Sequence, residues 1–368
     1  MGWSGISTFV NPDDPLLDVI LIPIFNELVI FNNNEGMYYP EEEINTLGEW
    51  NSYLGYIIKV TDTVSLTIDG EEVNDKNLML DGGWTIMPVL TSNYDISVEA
   101  LFAEVEAGFI IAKEVAGNGV YWNEYGINTI GNVVPGKSYH VDMLVPGSIN
   151  FGIMPTDKAE TPRRPEPVAS PWNEVITSPS SHVIAIIPAG EILSKNDIIG
   201  GFTVNGSCAG YAQIRDTESP LALTVFGSTA YSDDPRGFET GEVISYRIYR
   251  PSTNETYELE VIYKPDMDLG NFETNGLSAA TPVKLAPLGM LTLQSANINI
   301  YPNPNDGTFT IDGVEELVEM KIFNAFGEEI YLSGALLPTK ITLTQPKGIC
   351  IIKIITKKGE HYGKININ

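Results

Sequence analysis

Histidine and cysteine, the side chains that most often carry nucleophilic, acid–base or metal chemistry, number only three and two in this chain of 368 residues. His140, His182 and His361 are widely spaced, and no H-E-x-x-H pair sets two imidazoles on one helical face, so a zinc hydrolase of that kind is not expected. Neither a G-x-S-x-G elbow nor a phosphate-cradling glycine loop occurs. Cys208 and Cys350 lie too far apart in sequence for a C-x-x-C site and are too few for a disulfide framework. Each sits in an apolar strand-like run, where a free thiol behaves as a small hydrophobe. A Cys208–His182 dyad is formally available, but a buried cysteine and a histidine at a strand start is the favoured alternative. No catalytic residue is assigned, and the chain is not expected to be an enzyme.

Carboxylates are plentiful, yet glycoside hydrolysis needs two of them about 5 to 10 Å apart across a cleft, which small β modules seldom enclose. Asp233 and Asp234, in the loop YSDDPRG, offer hard oxygen ligands suited to Ca²⁺, the one cofactor considered; a solvated turn is the alternative. Aromatic residues give a second kind of candidate site. Tyr39, Trp50 and Tyr53 in one segment, and Trp122 and Tyr125 in another, offer flat apolar faces with polar edges, suited to a glycan or a surface protein ligand. Because Tyr38/Tyr39 and Tyr121/Trp122 are sequence neighbours, one of each pair faces a core if these are strands.

The elements that position these residues repeat. At a shift of 83, Gly36 meets Gly119, Tyr38 meets Tyr121, Tyr39 meets Trp122, Tyr56 meets Tyr139, and the run Ile44, Asn45, Thr46 meets Ile127, Asn128, Thr129. Gly2 and Trp3 pair with Gly83 and Trp84 at a shift of 81, so one module is used twice. Each copy reads as strands with one short helix. In the second copy Asp95 is expected to cap a helix with Val98, Leu101, Phe102 and Val105 on its apolar face, Gly108 ends it, and residues 109–113 form a strand. In the first copy the cap is expected at Asp14, with Pro15 in the first helical position. The second copy is led in by a strand at residues 77–81, whereas the first begins abruptly. Sequence upstream of Met1 is therefore expected, which would also account for the missing signal peptide.

The chain divides into a first repeat module at 1–76, a second at 77–155, a proline-rich linker at 156–171, a β-sandwich domain at 172–287, a linker at 288–296 and a final domain at 297–368. The segment 277–296 ahead of that domain reads as linker. Net charge is −27, concentrated at the front: residues 1–160 hold 24 acidic against 5 basic residues. Such a surface repels nucleic acid and anionic lipid, so no nucleic-acid partner is expected. No apolar run approaches the roughly 20 residues of a membrane-spanning helix, and no membrane insertion is expected.

Residues 301–309, YPNPNDGTF, crowd turn-forming residues between apolar strand formers, and alternation from Ile298 to Ile367 predicts seven short antiparallel strands. The run with Tyr301, Pro302, Asn303, Pro304 and Gly307, the segment from Met320 to Gly327, Gly348 at the start of a long apolar strand and Lys364 in a terminal one together resemble the C-terminal sorting domain of type IX secretion substrates, over residues 295–368. Cys350 departs from that pattern, which usually has an aromatic residue there. The resemblance implies a seven-stranded Ig-like β-sandwich, export through the periplasm to the outside or outer cell surface of a Gram-negative bacterium, and engagement of the type IX secretion machinery and a sortase-like peptidase. The repeat modules and the middle domain are similar to those recurrent in such secreted proteins. The expected fold class is thus mainly β (all-β/α+β). The expected function is non-catalytic adhesion or ligand binding, with accessory modules of a secreted hydrolase, its catalytic domain upstream of Met1, as the alternative.

Overall fold

The computed structural model describes residues 2–153, 168–189, 192–231, 236–265, 267, 270–287, 299–314, 317–324, 328–334, 340–343, 348–357 and 359–367. The chain forms two compact units, Met1–Leu285 and Ala286–Asn368. Strands dominate both.

The first unit opens with β1 (Gly2–Ile6), β2 (Val10–Pro12), helix α1 (Leu17–Ile20), β3 (Leu28–Asn32), β4 (Met37–Tyr39), β5 (Ile44–Asn45), β6 (Tyr56–Val60) and β7 (Gly70–Glu72). There follow β8 (Asn77–Leu80), β9 (Gly83–Met87), helix α2 (Val98–Phe102), β10 (Phe109–Glu114), β11 (Val120–Trp122), β12 (Ile127–Asn128), β13 (Tyr139–Met143) and β14 (Gly147–Asn150). Two five-stranded antiparallel sheets result, ordered β1-β6-β3-β4-β5 and β9-β13-β10-β11-β12, which is one strand order used twice. Their registers coincide as well: Gly2 pairs with Val60 as Gly83 pairs with Met143, and Phe31 with Tyr38 as Ala112 with Tyr121.

The residues alike in the two segments fasten these sheets. Asn45 Oδ1 accepts the Gly48 N–H at 2.8 Å, and Asn128 Oδ1 accepts that of Gly131 at 2.9 Å. Thr46 and Thr129 accept the N–H groups of Met37 and Val120, while the Tyr56 and Tyr139 hydroxyls accept those of Asn51 and Val134. Gly48 and Gly131 both hold φ near +70°, a conformation open to glycine because it lacks a Cβ. Each fastener satisfies a backbone donor that a turn would otherwise leave unpaired.

Both helices begin later than the sequence predicts. Asp14 does not cap α1: its carboxylate accepts the Leu16 N–H in a local turn, and Leu16, held in a bridge to Glu49, takes the N-cap position without a side-chain bond. In the second module Ser97, bridged to Asn132, caps α2 by accepting the Ala100 N–H at 3.2 Å, so Asp95 lies outside the helix. Long-range bridges fix where each helix starts and override the local capping signal.

The two modules meet through a joint with swapped halves. The Gly55 N–H donates to the Ile86 carbonyl, and Gly5 lies so close to Ser138 that a Cβ on either glycine would strike the opposite backbone. Gly5 corresponds to Ile86 and Gly55 to Ser138, so the contacting pairs exchange under the repeat. The Ser138 and Ser7 hydroxyls add bonds to the Tyr56 and Lys137 carbonyls.

The rest of the unit is one seven-stranded sheet of β15 (Ser181–Ile186), β16 (Ile198–Phe202), β17 (Cys208–Gln213), β18 (Leu221–Phe226), β19 (Ser245–Arg250), β20 (Glu255–Tyr263) and β21 (Leu277–Pro287), in the order β17-β16-β19-β20-β21-β15-β18. It rolls until its two edge strands almost meet, enclosing Ile184, Ile186, Ile199, Leu223, Val225, Ile248 and Phe272. Gly210 makes the approach possible, because any Cβ there would collide with the Thr224 carbonyl. Of residues 277–296, the stretch 277–287 is therefore not linker: it forms β21, which lies between β20 and β15 and runs parallel to β15. Residues 288–296 of the expected linker lie outside the described residues, as do residues 156–167; the Val168 carbonyl accepts the Tyr211 hydroxyl at 2.8 Å. The face of the second module's sheet bearing Ile111, Val120, Trp122 and Ile127 packs on Val183, Ala185 and Ala279 of the rolled sheet.

The second unit has β22 (Asn299–Tyr301), β23 (Thr308–Asp312), β24 (Leu317–Phe323), β25 (Glu329–Ser333), β26 (Ile341–Thr342), β27 (Gly348–Thr356) and β28 (Gly359–Ile367). They form a three-stranded sheet, β22-β23-β26, and a four-stranded one, β25-β24-β27-β28. Phe309, Ile311, Met320, Ile322, Ile352, Ile354 and Ile365 fill the core between them, with Cys350 buried among them. The seven strands predicted from alternation are present.

Candidate functional site

The five aromatic candidates do not form a solvent-facing strip. Trp50 is 4% exposed, packed on Phe31 and Tyr56 in the first module's core, and Trp122 is 1% exposed beneath the rolled sheet. Both are removed from any ligand. Tyr53 packs on the second module's core and donates its hydroxyl to the Asp75 carbonyl. Tyr39 and Tyr125 are half-buried at joints with the rolled sheet: Tyr39 meets Tyr231 edge-on with ring centres 5.6 Å apart, and the Tyr125 hydroxyl lies 3.3 Å from Met267 Sδ and from Lys264 Nζ. Lys59 donates to the Tyr231 carbonyl. Along β4 and β11 alternation sends Tyr38 and Tyr121 into their modules' own cores, while Tyr39 and Trp122, on the opposite face, pack against residues of the segment that forms the rolled sheet. Asp233 and Asp234 lie outside the described residues, and no three His, Cys, Asp or Glu side chains converge on a metal-sized site among the described ones.

The histidine and cysteine chemistry is likewise committed elsewhere. His182, fully buried, accepts the Glu273 N–H at Nδ1, which leaves Nε2 protonated toward the Ser278 hydroxyl 2.7 Å away. The Cys208 thiol donates to the Gly210 carbonyl, and burial pushes its pKa up to about 11, so no thiolate forms near neutral pH. Lys113 crosses the joint between the second module and the rolled sheet. Its ammonium, 1% exposed, lies over the Trp84 ring, and burial pulls its pKa down to about 7 against the opposing pull of Asp142. His140, beside it on β13, is held at about 3 by burial and by the Lys113 charge, so its imidazole is neutral at physiological pH.

A groove runs where the second module borders the seam between β17 and β18. A cavity of about 460 Å³ is lined by Asn118 and Thr129 of the module and by Tyr211, Gln213, Leu221 and Thr224 of the rolled sheet. A second, of about 390 Å³, shares Asn118 and Tyr211 and continues past Trp172. These residues were not singled out in sequence. Tyr211 and Gln213 do alternate along β17, but their partner Asn118 lies about a hundred residues away, and only the fold brings them together.

The turn at residues 301–309 joins the two sheets of the second unit. Asn303 Oδ1 accepts the Asn366 N–H at 2.8 Å, while the Asn305 N–H donates to the Asn366 carbonyl. Asn305, 6% exposed, also bonds through Nδ2 to the Pro302 carbonyl and through Oδ1 to the Gly307 N–H. Gly307, at φ +96°, accepts the Leu343 N–H, and Pro304 follows Asn303 through a cis bond. Tyr301 is half-exposed at the end of β22. Gly348 pairs with Ile367, and Lys364 pairs with Ile351 across β27 and β28. The prolines remove ladder donors and the asparagines supply replacements, so a turn between β22 and β23 becomes a clamp on the last strand.

The family model of the secretion system C-terminal sorting domain matches residues 299–368. This tail is a type IX sorting domain. Such a sorting domain marks its chain for export to the outside or outer surface of the cell by the type IX machinery, and it spans the clamp and both sheets of the second unit. Among the described residues no helix is long and apolar enough to cross a membrane. Comparison with curated proteins returned no match. Among solved structures, the CD2-binding domain of CD58 is 11% identical, with 51% of this chain and 96% of that one covered at a TM-score of 0.17. The BSP domain of a biofilm associated protein is 12% identical, covering 52% and 30% at 0.16, and the N-terminal four Ig domains of Dscam1 isoform 4.44 are 9% identical, covering 92% and 90% at 0.15. Superpositions this poor bear neither on the fold of this chain nor on what it binds.

Proposed function

We infer that this chain is a non-catalytic surface protein of a Gram-negative bacterium, carried through the periplasm and across the outer membrane by its sorting domain, with the β modules serving adhesion or ligand binding. The sorting domain carries the reading. Support for a non-catalytic role comes from His182, whose ring nitrogens both have partners, from a Cys208 thiol that stays protonated, and from a neutral, buried His140. The first unit suits presentation of a surface: its modules join through buried apolar side chains and bonded polar ones, so they act as one body. A sortase-like peptidase cutting between residues 288 and 298 would separate the cargo from the tail.

Deletion of residues 299–368 in the native host, followed by fractionation and protease shaving of intact cells, tests this. The truncated chain is expected to accumulate in the periplasm, and cells are expected to lose adhesion that the full chain confers. Unchanged appearance outside the cell would refute the reading.

A further inference from the structure

Residues 64–68 of the first module occupy the place of a paired strand in the second, but pair with nothing. In the second module the chain leaves β13 and forms β14, which pairs antiparallel with β8 from Gly147 opposite Leu80 to Asn150 opposite Asn77. At the shift of 83 that relates the modules, the stretch after β6 equivalent to residues 147–151 is VSLTI, residues 64–68. It keeps the alternation of β14. Leu66 and Ile68 pack on the first module's core as Ile149 and Phe151 pack on the second's, while Ser65 and Thr67 are exposed like Ser148 and Asn150. Yet the stretch belongs to no sheet, and none of its five residues bonds to any described residue. Consecutive backbone donors and acceptors left without partners in an otherwise paired fold form an open strand edge.

Burial is incomplete at the same place. Ile6, Val60, Leu66 and Ile68 are only partly buried, whereas Met87, Met143, Ile149 and Phe151, at the equivalent positions of the second module, are each 2% exposed or less. Strand β8 accounts for the difference: its Leu78 and Leu80 are buried in the second core, and no described strand takes their place in the first. The repeat thus states what fits the open edge. It is an extended segment running antiparallel to residues 64–68, with two apolar side chains two residues apart turned toward the core.

Charge adds to that description. Residues 1–76 hold 14 acidic against 2 basic residues, and exposed Asp62 and Asp69 flank the stretch. Both lysines are engaged, Lys59 by the Tyr231 carbonyl and Lys76 by Glu72. Basic residues at the ends of an incoming segment therefore meet an acidic rim.

We propose that residues 64–68 capture a β-strand from a second polypeptide, apolar at alternate positions and basic at its ends, in the place that β8 holds in the second module. The described strands of the first unit are already paired with one another, so another chain supplies it. Strand capture goes beyond the function inferred above and does not depend on export.

The test uses the full purified chain and three synthetic peptides: the sequence of residues 75–82, the same sequence with Asp75→Lys and Asp81→Lys, and a scramble of the latter. In the chain alone, the amides of residues 64–68 are expected to exchange rapidly. The lysine-flanked peptide is expected to bind with Kd below about 1 mM, to slow exchange at those amides and to raise the melting temperature; the unmodified peptide should bind several-fold more weakly and the scramble not at all. Leu66→Ala should weaken binding about tenfold. Grafting the sequence of residues 76–82 directly ahead of Gly2 should raise the melting temperature and abolish peptide binding. The proposal is overturned if neither ordered peptide binds at about 1 mM, if the scramble binds equally well, or if the amides are already protected in the chain alone, which would mean that the chain fills the position itself. Failure here leaves the export reading standing, and export that persists without residues 299–368 leaves strand capture standing.

Discussion

The Lys113 ammonium donates to the Ser181 carbonyl at 2.9 Å and to its hydroxyl at 2.8 Å, pinning β10 of the second module to the first strand of the rolled sheet from inside a fully buried joint. An amine in that position is held against its own desolvation, and the strain is readable as a function of pH. The folded pKa of about 7 lies below the unfolded value of 10.5, so between these limits the unfolded chain binds more protons and stability rises with pH. His140 acts in the same sense at lower pH, between about 3 and 6.5, and Asp142 is the carboxylate that interacts with Lys113. Urea unfolding at pH 7 and pH 9.5 should show the parent gaining on the order of a few kcal/mol, and Lys113→Met should flatten that gain. A parent curve that falls over this interval would contradict the buried amine.

Closure of the rolled sheet depends on Gly210. Gly210→Ala puts a methyl into the Thr224 carbonyl, and the backbone must part to accept it. Destabilisation of about 1 to 3 kcal/mol is expected, measured by chemical denaturation, with Ala212→Val on the same strand as a control for bulk alone.

The paired tyrosine fasteners make a symmetric prediction. Tyr56→Phe and Tyr139→Phe each remove a hydroxyl that accepts a backbone N–H, from Asn51 and from Val134. Each should cost about 1 kcal/mol, and the two losses should agree within a few tenths. Denaturation midpoints that differ several-fold would show that the two modules use the residue differently.

Asn305 holds the sorting domain's clamp by three bonds, two of which run through its side-chain amide and are lost on replacement by alanine. Asn305→Ala should accelerate hydrogen exchange at the Gly307 and Asn366 amides and lower the amount of protein exported, while Tyr301→Ala, at a half-exposed ring, should leave exchange at those amides unchanged.

Much of this architecture is legible before any coordinates because its signals are local. The residues that recur at shifts of 81 and 83 are those whose side chains fasten turns, and the alternation after residue 298 marks seven real strands. What escapes is set by distant partners. Asp14 and Asp95 look like caps, but the bridges from Leu16 to Glu49 and from Ser97 to Asn132 decide where the helices begin. Strand Leu277–Pro287 carries two prolines and two adjacent alanines, and one of its two neighbours is a parallel strand about a hundred residues earlier, a pairing that no local signal announces. Trp50 and Trp122 resemble binding aromatics by type alone, and burial on both faces of a sheet is invisible to spacing. The groove is the extreme case, since Asn118 and Gln213 become neighbours only after three sheets have assembled.

The swapped contacts of Gly5 with Ser138 and of Gly55 with Ile86 have an evolutionary corollary. A surface that matches its own copy after a half-turn closes as readily between two separate polypeptides as within one. A lone ancestral module would have assembled as a homodimer, and tandem duplication would have made that partnership permanent.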